Sequence, residues 1–353
     1  MGPLAVLTAL AAGDVSAAAP AATPGACTTV RLPVALAAGQ PARYSVGGTF
    51  CSKGPPEPRR TVQLLVHGFT LSQEYFDPPY QPGRYSYVRR ANAAGYATLA
   101  LDRIGVGASD RPPAVEVTSD SNVFVLHQVV DALHAGRVGG AAFAHVVVVG
   151  HSYGTALATM AASRFGGVDA VVAVGFLHPS PNPPGLSILA QSYPAQADPA
   201  FSSADVPPGY VTTLPGYRSN FYAAGNADPA MVALDERTKQ TGTVAEMATF
   251  GEYFQSGAVA GVRVPVLVVS GEYDPFFCNA AVPTLHCGTA ADLVERERPH
   301  LTASPCIEGF VQARAGHNIG LERNNAAGWA AELSFLDRHV GPTGVRGTAV
   351  PCG

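Results

Sequence analysis

Charged side chains are scarce in this sequence, which argues against two classes of protein. Asp, Glu, Lys and Arg make up 14% of the 353 residues, whereas hydrophobic residues make up 47%. Disordered chains have the opposite balance, so we expect a compact protein with a sizeable core. The 22 Lys and Arg residues, set against 26 Asp and Glu residues, form no basic cluster that could follow a phosphate backbone. We therefore expect no nucleic-acid partner.

Long apolar runs are missing as well. No segment reaches the ~18 consecutive apolar residues of a membrane-spanning helix, so we expect no membrane span. Residues 4–12 form a shorter apolar run, and small residues follow at 16–22. This pattern is typical of a signal peptide, although a basic n-region does not precede it. We assign residues 1–25 to an export segment and predict a secreted protein; a disordered Ala/Pro tail is the alternative.

The cysteines lack the spacing of a zinc site or a CxxC redox pair, which leaves structural disulfides as the favoured interpretation. An even number of cysteines in an exported chain supports it. Cys27 and Cys51 are the natural first pair, and their bridge is worth roughly 3–4 kcal/mol on the chain-entropy model. The other four allow three connectivities. They are Cys278, Cys287, Cys306 and Cys352.

Strand-like and helix-like segments alternate in the first half of the chain. The strand-like runs are residues 61–66, 97–101 and 144–149, and the helix-compatible segments are 87–94, 121–135 and 155–165. This alternation predicts an α/β fold with a mainly parallel sheet and helices on both faces. Residues 26–49 are expected to add short strands that are broken by Gly and Pro.

The second half of the chain predicts an insertion into this sheet domain. Residues 168–176 and 264–270 are further strand-like runs, and a final helix is expected at 326–339. Between the two runs, residues 179–261 show only weak helical patterning. We interpret residues 179–261 as a cap, and residues 26–178 and 262–353 as the two parts of the core domain.

A Gly-x-Ser-x-Gly motif at residues 150–154 identifies Ser152 as a candidate nucleophile. Its glycines permit the sharp strand-to-helix turn that exposes a strained serine. The context fits, because a β-rich run precedes the motif and an Ala-rich helical segment follows it. Ser152 would then stand at a helix N-terminus, where negative charge is stabilised.

A serine hydroxyl needs a base within hydrogen-bond reach and an acid that orients the base. His317 stands in a loop ahead of the last helix and is the candidate base, with His300 as its rival. Asp274 follows the strand at 264–270 and is the candidate acid, with Glu272 as the neighbouring alternative.

Together, these motifs resemble those of the α/β-hydrolase superfamily. The segments that carry the resemblance are residues 65–69, 101–110, 150–154, 271–274 and 316–317. The resemblance implies that His67 and Gly68 begin an oxyanion loop, in which Phe69 and Tyr153 supply the two backbone N–H donors. It also implies that Asp102 belongs to a structural turn and is not catalytic.

These inferences predict a secreted serine hydrolase that cleaves an ester, lactone or amide of apolar to mixed character, without a cofactor. Two other classes stay open. The same triad could pass the acyl group to an internal amine or hydroxyl, as in a cyclase or acyltransferase. Alternatively, the scaffold could bind a ligand without turning it over.

Overall fold

In the part of the chain that the structure describes, the central sheet has eight strands in the order β1-β2-β4-β3-β5-β6-β10-β11, with the bounds given below. The computed structural model describes residues 26–178, 188–202, 204–278, 283–347 and 352. The export segment at 1–25 lies outside them. The strands of this sheet are β1 Ala26–Val34, β2 Tyr44–Ser52, β3 Thr61–Val66, β4 Ala97–Leu101, β5 His145–His151, β6 Ala170–Val174, β10 Val266–Gly271 and β11 Ile307–Gln312. From β4 to β11 along the sheet every pairing is parallel, which confirms the predicted α/β class.

Strands β3, β4, β6 and β10 are buried at every residue, which requires cover on both faces of the sheet. Two contacting pairs of helices pack on it, α3 with α4 and α2 with α8. The helices that lie wholly within the described residues are α1 Pro82–Tyr85, α2 Tyr87–Ala93, α3 Ser119–His134, α4 Tyr153–Phe165, α5 Pro229–Arg237, α6 Val244–Thr249, α7 Ala290–Glu297 and α8 Ala326–His339. Among the described residues, no helix has the length and apolarity needed to cross a bilayer.

The first two strands differ from the prediction of short, broken segments. They form a continuous antiparallel hairpin of nine residues per strand. Pro33 is tolerated inside β1 because β1 is the edge strand, where one side of the backbone has no partner to bond. Cys27 and Cys51 face each other in this hairpin and form the predicted disulfide.

The other cysteines also form bridges, Cys278–Cys287 and Cys306–Cys352. This selects one of the three connectivities that the sequence left open. The Cys278–Cys287 bridge closes a short loop just beyond Asp274, whereas Cys306–Cys352 attaches the end of the chain to the start of β11.

The stretch between β6 and β10 forms a small structure of its own. It contains a three-stranded antiparallel sheet, β7 Ser192–Pro194, β8 Tyr210–Thr213 and β9 Gly242–Thr243, together with α5 and α6. These strands were not predicted, since each has only two to four residues and no clear alternation. We call residues 188–261 the insertion. The division of the chain into core and cap segments at 179–261 stays a prediction.

Candidate active site

Ser152 lies in a tight turn between β5 and α4. Its backbone has φ 52° and ψ −128°, a conformation that side-chain-bearing residues rarely adopt. The flanking glycines make room for this turn. A Cβ on Gly154 would lie 2.1 Å from the Val66 carbonyl oxygen, and one on Gly150 would lie 2.5 Å from Thr155 Cα. Close packing therefore requires glycine at both of these positions of the motif. Helix α4 begins directly after the serine.

His317 bridges Ser152 and Asp274. Its Nε2 lies 2.8 Å from Ser152 Oγ, and its Nδ1 lies 2.8 Å from Asp274 Oδ2. Since a carboxylate only accepts hydrogen bonds, Nδ1–H donates to Asp274 and Nε2 is left to accept the serine proton. All three side chains are buried. The structure thus brings together the three residues that the sequence singled out.

The loop after β10 fixes the carboxylate of Asp274. Its second oxygen, Oδ1, accepts hydrogen bonds from the backbone N–H groups of Phe276 and Phe277, at 2.8 and 3.2 Å. The rings of these two phenylalanines pack on His317, with centroid distances of 4.8 and 5.9 Å. The loop therefore orients the acid and also shields the imidazole from water.

Neither rival residue occupies this arrangement. The Glu272 carboxylate accepts a hydrogen bond from the backbone N–H of Arg314 at 2.8 Å. The His300 ring stacks on the ring of His178, with centroids 3.8 Å apart. Both alternatives therefore have partners of their own, and the hydroxyl of Ser152 contacts His317.

The loop at the end of β3 passes against the nucleophile. A Cβ on Gly68 would lie 2.8 Å from Ser152 Cβ. Phe69 follows in this loop, and Tyr153 is the first residue of α4. In the described part of the chain, neither of their backbone N–H groups is bonded to a protein acceptor. Their role as oxyanion donors stays a prediction.

Residues 63–331 match the model of the alpha/beta hydrolase family, which covers well over half of the chain. The chain belongs to the alpha/beta hydrolase family. No curated protein matches its sequence.

Solved structures of other hydrolases share the fold at low sequence identity. An esterase of Pyrococcus furiosus is 15% identical, with a TM-score of 0.54, over 90% of this chain and 92% of that one. A soluble variant of monoglyceride lipase from Saccharomyces cerevisiae is 14% identical, with a TM-score of 0.59, over 93% and 97% of the two chains. A serine hydrolase involved in carbazole degradation is 19% identical, with a TM-score of 0.52, over 88% and 99%. These likenesses confirm the α/β-hydrolase fold.

Two other polar residues near the site of this α/β hydrolase have structural partners. Burial lowers the pKa of His67 well below its usual value. The neutral ring accepts a hydrogen bond from the Arg103 backbone N–H and donates to the Gly68 carbonyl, so it supports the loop around Gly68. Asp102 accepts hydrogen bonds from backbone N–H groups of Gln73 and Ala108, each at 2.9 Å.

One group of side chains has the spacing of metal ligands. Among the described residues, the ligand atoms of Cys306, His339 and Cys352 lie within 4.8 Å of one another. Cys306 and Cys352 are bonded to each other. Because metals bind the thiolate, the disulfide form cannot provide such a site.

A buried layer that contains His151, the second residue of the Gly-x-Ser-x-Gly motif, packs against His317. His151 donates from Nε2 to the His317 carbonyl at 3.0 Å and stacks on Tyr75, with centroids 4.0 Å apart. Burial lowers the pKa of His151 well below its usual value, so this ring is neutral. Glu332 lines the same small cavity beside Tyr87. Burial raises the pKa of Glu332 to about 8.

Glu332→Gln is expected to stabilise the protein at neutral and alkaline pH. The folded state keeps its Glu332 proton up to about pH 8, whereas an unfolded glutamate loses its proton near 4.5. The free energy of unfolding of the wild type therefore falls as pH rises between these two pKa values, and the loss is constant at higher pH. At pH 7 the loss of unfolding free energy is on the order of 3 kcal/mol. Urea unfolding of both proteins from pH 4 to pH 9 measures the difference.

The matched control for this experiment is Glu295→Gln, the same substitution at an exposed position on α7. We expect the gain from Glu332→Gln to be absent at pH 4 and to grow up to about pH 8, while Glu295→Gln shows no such trend. A gain that does not vary with pH would show that Glu332 is already ionised in the folded protein.

Proposed function

We propose that this α/β hydrolase is a secreted serine hydrolase that cleaves an ester, lactone or amide through an acyl-enzyme. The observation that carries the proposal is the continuous chain of hydrogen bonds from Asp274 through His317 to Ser152. A serine hydroxyl with a neutral imidazole on one side and an oriented carboxylate behind it is suited to nucleophilic attack on a carbonyl.

In this mechanism, Ser152 Oγ forms a bond to the substrate carbonyl carbon while His317 Nε2 takes the hydroxyl proton. Asp274 stabilises the resulting imidazolium through Nδ1–H. The backbone N–H groups of Phe69 and Tyr153 donate to the oxyanion of the tetrahedral intermediate. The bond to the leaving group then breaks, and the leaving group receives the proton from Nε2. Water then attacks the carbonyl carbon of the acyl-enzyme while His317 Nε2 takes a proton from it. The bond to Ser152 Oγ breaks, Oγ receives the proton from Nε2, and the acid is released.

The surroundings of His317 favour an uncharged substrate of apolar to mixed character. Phe276 makes an edge contact with the ring and Phe277 stacks on it, while Phe221 contributes a further edge contact from the insertion at 5.8 Å. An apolar wall gives a charged acyl group no compensation for its lost hydration. Because Phe221 belongs to the stretch between β6 and β10, this contact also supports the assignment of that stretch as a cap. The triad itself needs no cofactor.

Export is supported by the three disulfide bonds and by the composition of residues 1–25. Disulfides persist in oxidising compartments outside the cytosol. All six cysteines of the sequence take part in them. This part of the proposal is tested by expressing the full chain in a secreting host and sequencing the N-terminus of the protein recovered from the medium.

The reaction is tested with a panel of p-nitrophenyl esters of rising acyl length, run beside lactones and p-nitroanilides. We expect ester turnover, because the fold neighbours named above include an esterase and a monoglyceride lipase. In parallel, a fluorophosphonate should label the protein, and peptide mass spectrometry should place the label on Ser152. A folded protein that neither turns over any member of the panel nor takes the label would overturn the proposal and favour a binding role.

Acyl transfer is the second candidate, because the tetrahedral chemistry does not depend on which nucleophile resolves the acyl-enzyme. The phenylalanines around His317 favour acyl transfer because they limit the access of water to the acyl-enzyme. Adding an alcohol or amine to the ester assay and quantifying the products separates the two. A transferase yields mainly the new ester or amide, and a hydrolase yields mainly the free acid.

A further inference from the structure

A buried ion pair in the insertion contacts both loops of the candidate site. Arg218 has no exposed surface, and its guanidinium donates two hydrogen bonds to Asp235 Oδ1, at 2.6 and 3.2 Å. Arg218 lies in the turn Tyr217–Phe221, and Asp235 lies on α5. Both positions are therefore outside the α/β core, although they face it.

On one side, the pair contacts the oxyanion loop. Arg218 Nη1 donates to Thr70 Oγ1 at 2.9 Å, and this hydroxyl donates to the Phe69 carbonyl at 2.7 Å. Thr70 has φ 56°, which is strained for a β-branched residue and persists only when its surroundings hold it. The Thr70 carbonyl accepts a further hydrogen bond from the Gln240 N–H at 2.9 Å. The residue after Phe69 is thus held by contacts from the insertion.

On the other side, the pair contacts the loop of the base. Asp235 Oδ2 accepts hydrogen bonds from Asn318 Nδ2 at 3.0 Å and from the Tyr222 hydroxyl at 2.9 Å. Asn318 directly follows His317, and its backbone N–H donates to the Phe221 carbonyl at 2.8 Å. One ion pair therefore joins the neighbour of a proposed oxyanion donor to the neighbour of the proposed base.

We propose that Arg218 and Asp235 are positioning residues that set the oxyanion loop and the base loop at their catalytic spacing. This inference rests on the function proposed above. The pair touches neither the nucleophile nor the base directly. It acts through Thr70 and Asn318, and its effect should appear in the stabilisation of the tetrahedral intermediate. A small displacement of the oxyanion donors is enough to lower the rate, by about 100-fold for an error near 1 Å.

Thr70→Val and Thr70→Ser form the matched pair for the test. Valine keeps the volume and the branched shape of threonine but removes the hydroxyl, so the Arg218–Asp235 pair stays intact while its link to the loop is lost. We expect kcat to fall about 10- to 100-fold in Thr70→Val with little change in KM. Thr70→Ser retains the hydroxyl and should recover most of the loss.

A transition-state analogue separates positioning from general loosening of the fold. Aryl trifluoromethyl ketones add to a catalytic serine and place an oxyanion where the two N–H donors point. We expect the inhibition constant to rise in Thr70→Val by about the same factor as kcat falls. Arg218→Lys keeps the charge but loses the forked geometry, and it should show the same parallel change.

The control is Asp198→Asn, which perturbs another buried ion pair of the insertion. Asp198 pairs with Lys239 at 2.7 Å, and Lys239 also contacts Glu236 and the Thr213 carbonyl, all within the insertion. Asp198→Asn should lower the Tm while leaving kcat within about twofold of wild type.

Two results would overturn the inference. One is a folded Thr70→Val and a folded Arg218→Lys that both keep kcat within twofold of wild type. The other is a loss of kcat in Asp198→Asn equal to the loss in Thr70→Val at equal loss of Tm. Fluorophosphonate labelling of Ser152 in the wild type keeps these failures distinct from a failure of the proposed function, because labelling does not depend on how the variants rank.

Discussion

Replacing Ser152 with alanine is expected to lower kcat for the best ester substrate by about 10⁴- to 10⁶-fold, because the covalent route is lost entirely. The fold should be retained. Only the hydroxyl is removed, and its contact in the structure is with His317. The measurement is the steady-state rate on that ester, with near-UV circular dichroism as the check on folding.

A control for this substitution is Ser304→Ala. The hydroxyl of Ser304 donates to the Val264 and Cys306 carbonyls beside the starts of β10 and β11, so it is a serine with structural contacts alone. Its loss should leave kcat unchanged. If Ser152→Ala kept a rate within tenfold of wild type while remaining folded, Ser152 would not be the nucleophile.

Asp274→Asn is expected to lower kcat by about 10³- to 10⁴-fold. An asparagine amide can donate to His317 Nδ1, which favours the tautomer that carries its proton on Nε2. That tautomer cannot accept the proton of Ser152. KM should change little, because Asp274 is fully buried behind the imidazole and does not face the substrate. Steady-state kinetics on the same ester measure both constants.

Asp102→Asn is the comparison that tests this assignment. The Asp102 carboxylate accepts three hydrogen bonds, from the Ala108 N–H and from the backbone and side chain of Gln73. The substitution should therefore lower the free energy of unfolding by about 1–3 kcal/mol and leave kcat near the wild-type value. The reverse ranking of the two variants would mean that their roles are exchanged.

The parts of the fold that follow from hydrophobic patterning could be predicted from the sequence. Strands β3 and β4 and helix α8 have the predicted bounds. The two strands are short β-rich runs that end at His67 and Asp102, and the helix has apolar residues at helical spacing. Helix α3 begins two residues earlier than expected. The Thr118–Ser121 capping box moves its start, and such a box with serine in place of Glu or Gln is harder to recognise.

The three candidate residues Ser152, Asp274 and His317 could be singled out because each follows a strand in a recognisable local context, and parallel strands bring their carboxyl ends to one edge of the sheet. The Arg218–Asp235 pair could not. Both residues lie in a stretch with weak patterning, and a charged residue without a motif is normally read as exposed surface. The contacts of the pair are also remote in sequence. Thr70 lies 148 residues from Arg218, and Asn318 lies 83 residues from Asp235. Only the tertiary structure shows these contacts.

The six cysteines have a consequence for how this enzyme could diversify. None of them lies between residues 51 and 278, so no covalent bridge ties the insertion to the core. Replacement of the insertion by a segment of different length would leave the strands that carry Ser152, Asp274 and His317 unbroken. A grafted segment would still have to supply two things that Arg218 and Asp235 now provide: a donor for Thr70 and an acceptor for Asn318. Chimaeras that exchange this stretch between related hydrolases should therefore recover activity only when both contacts are carried over with it.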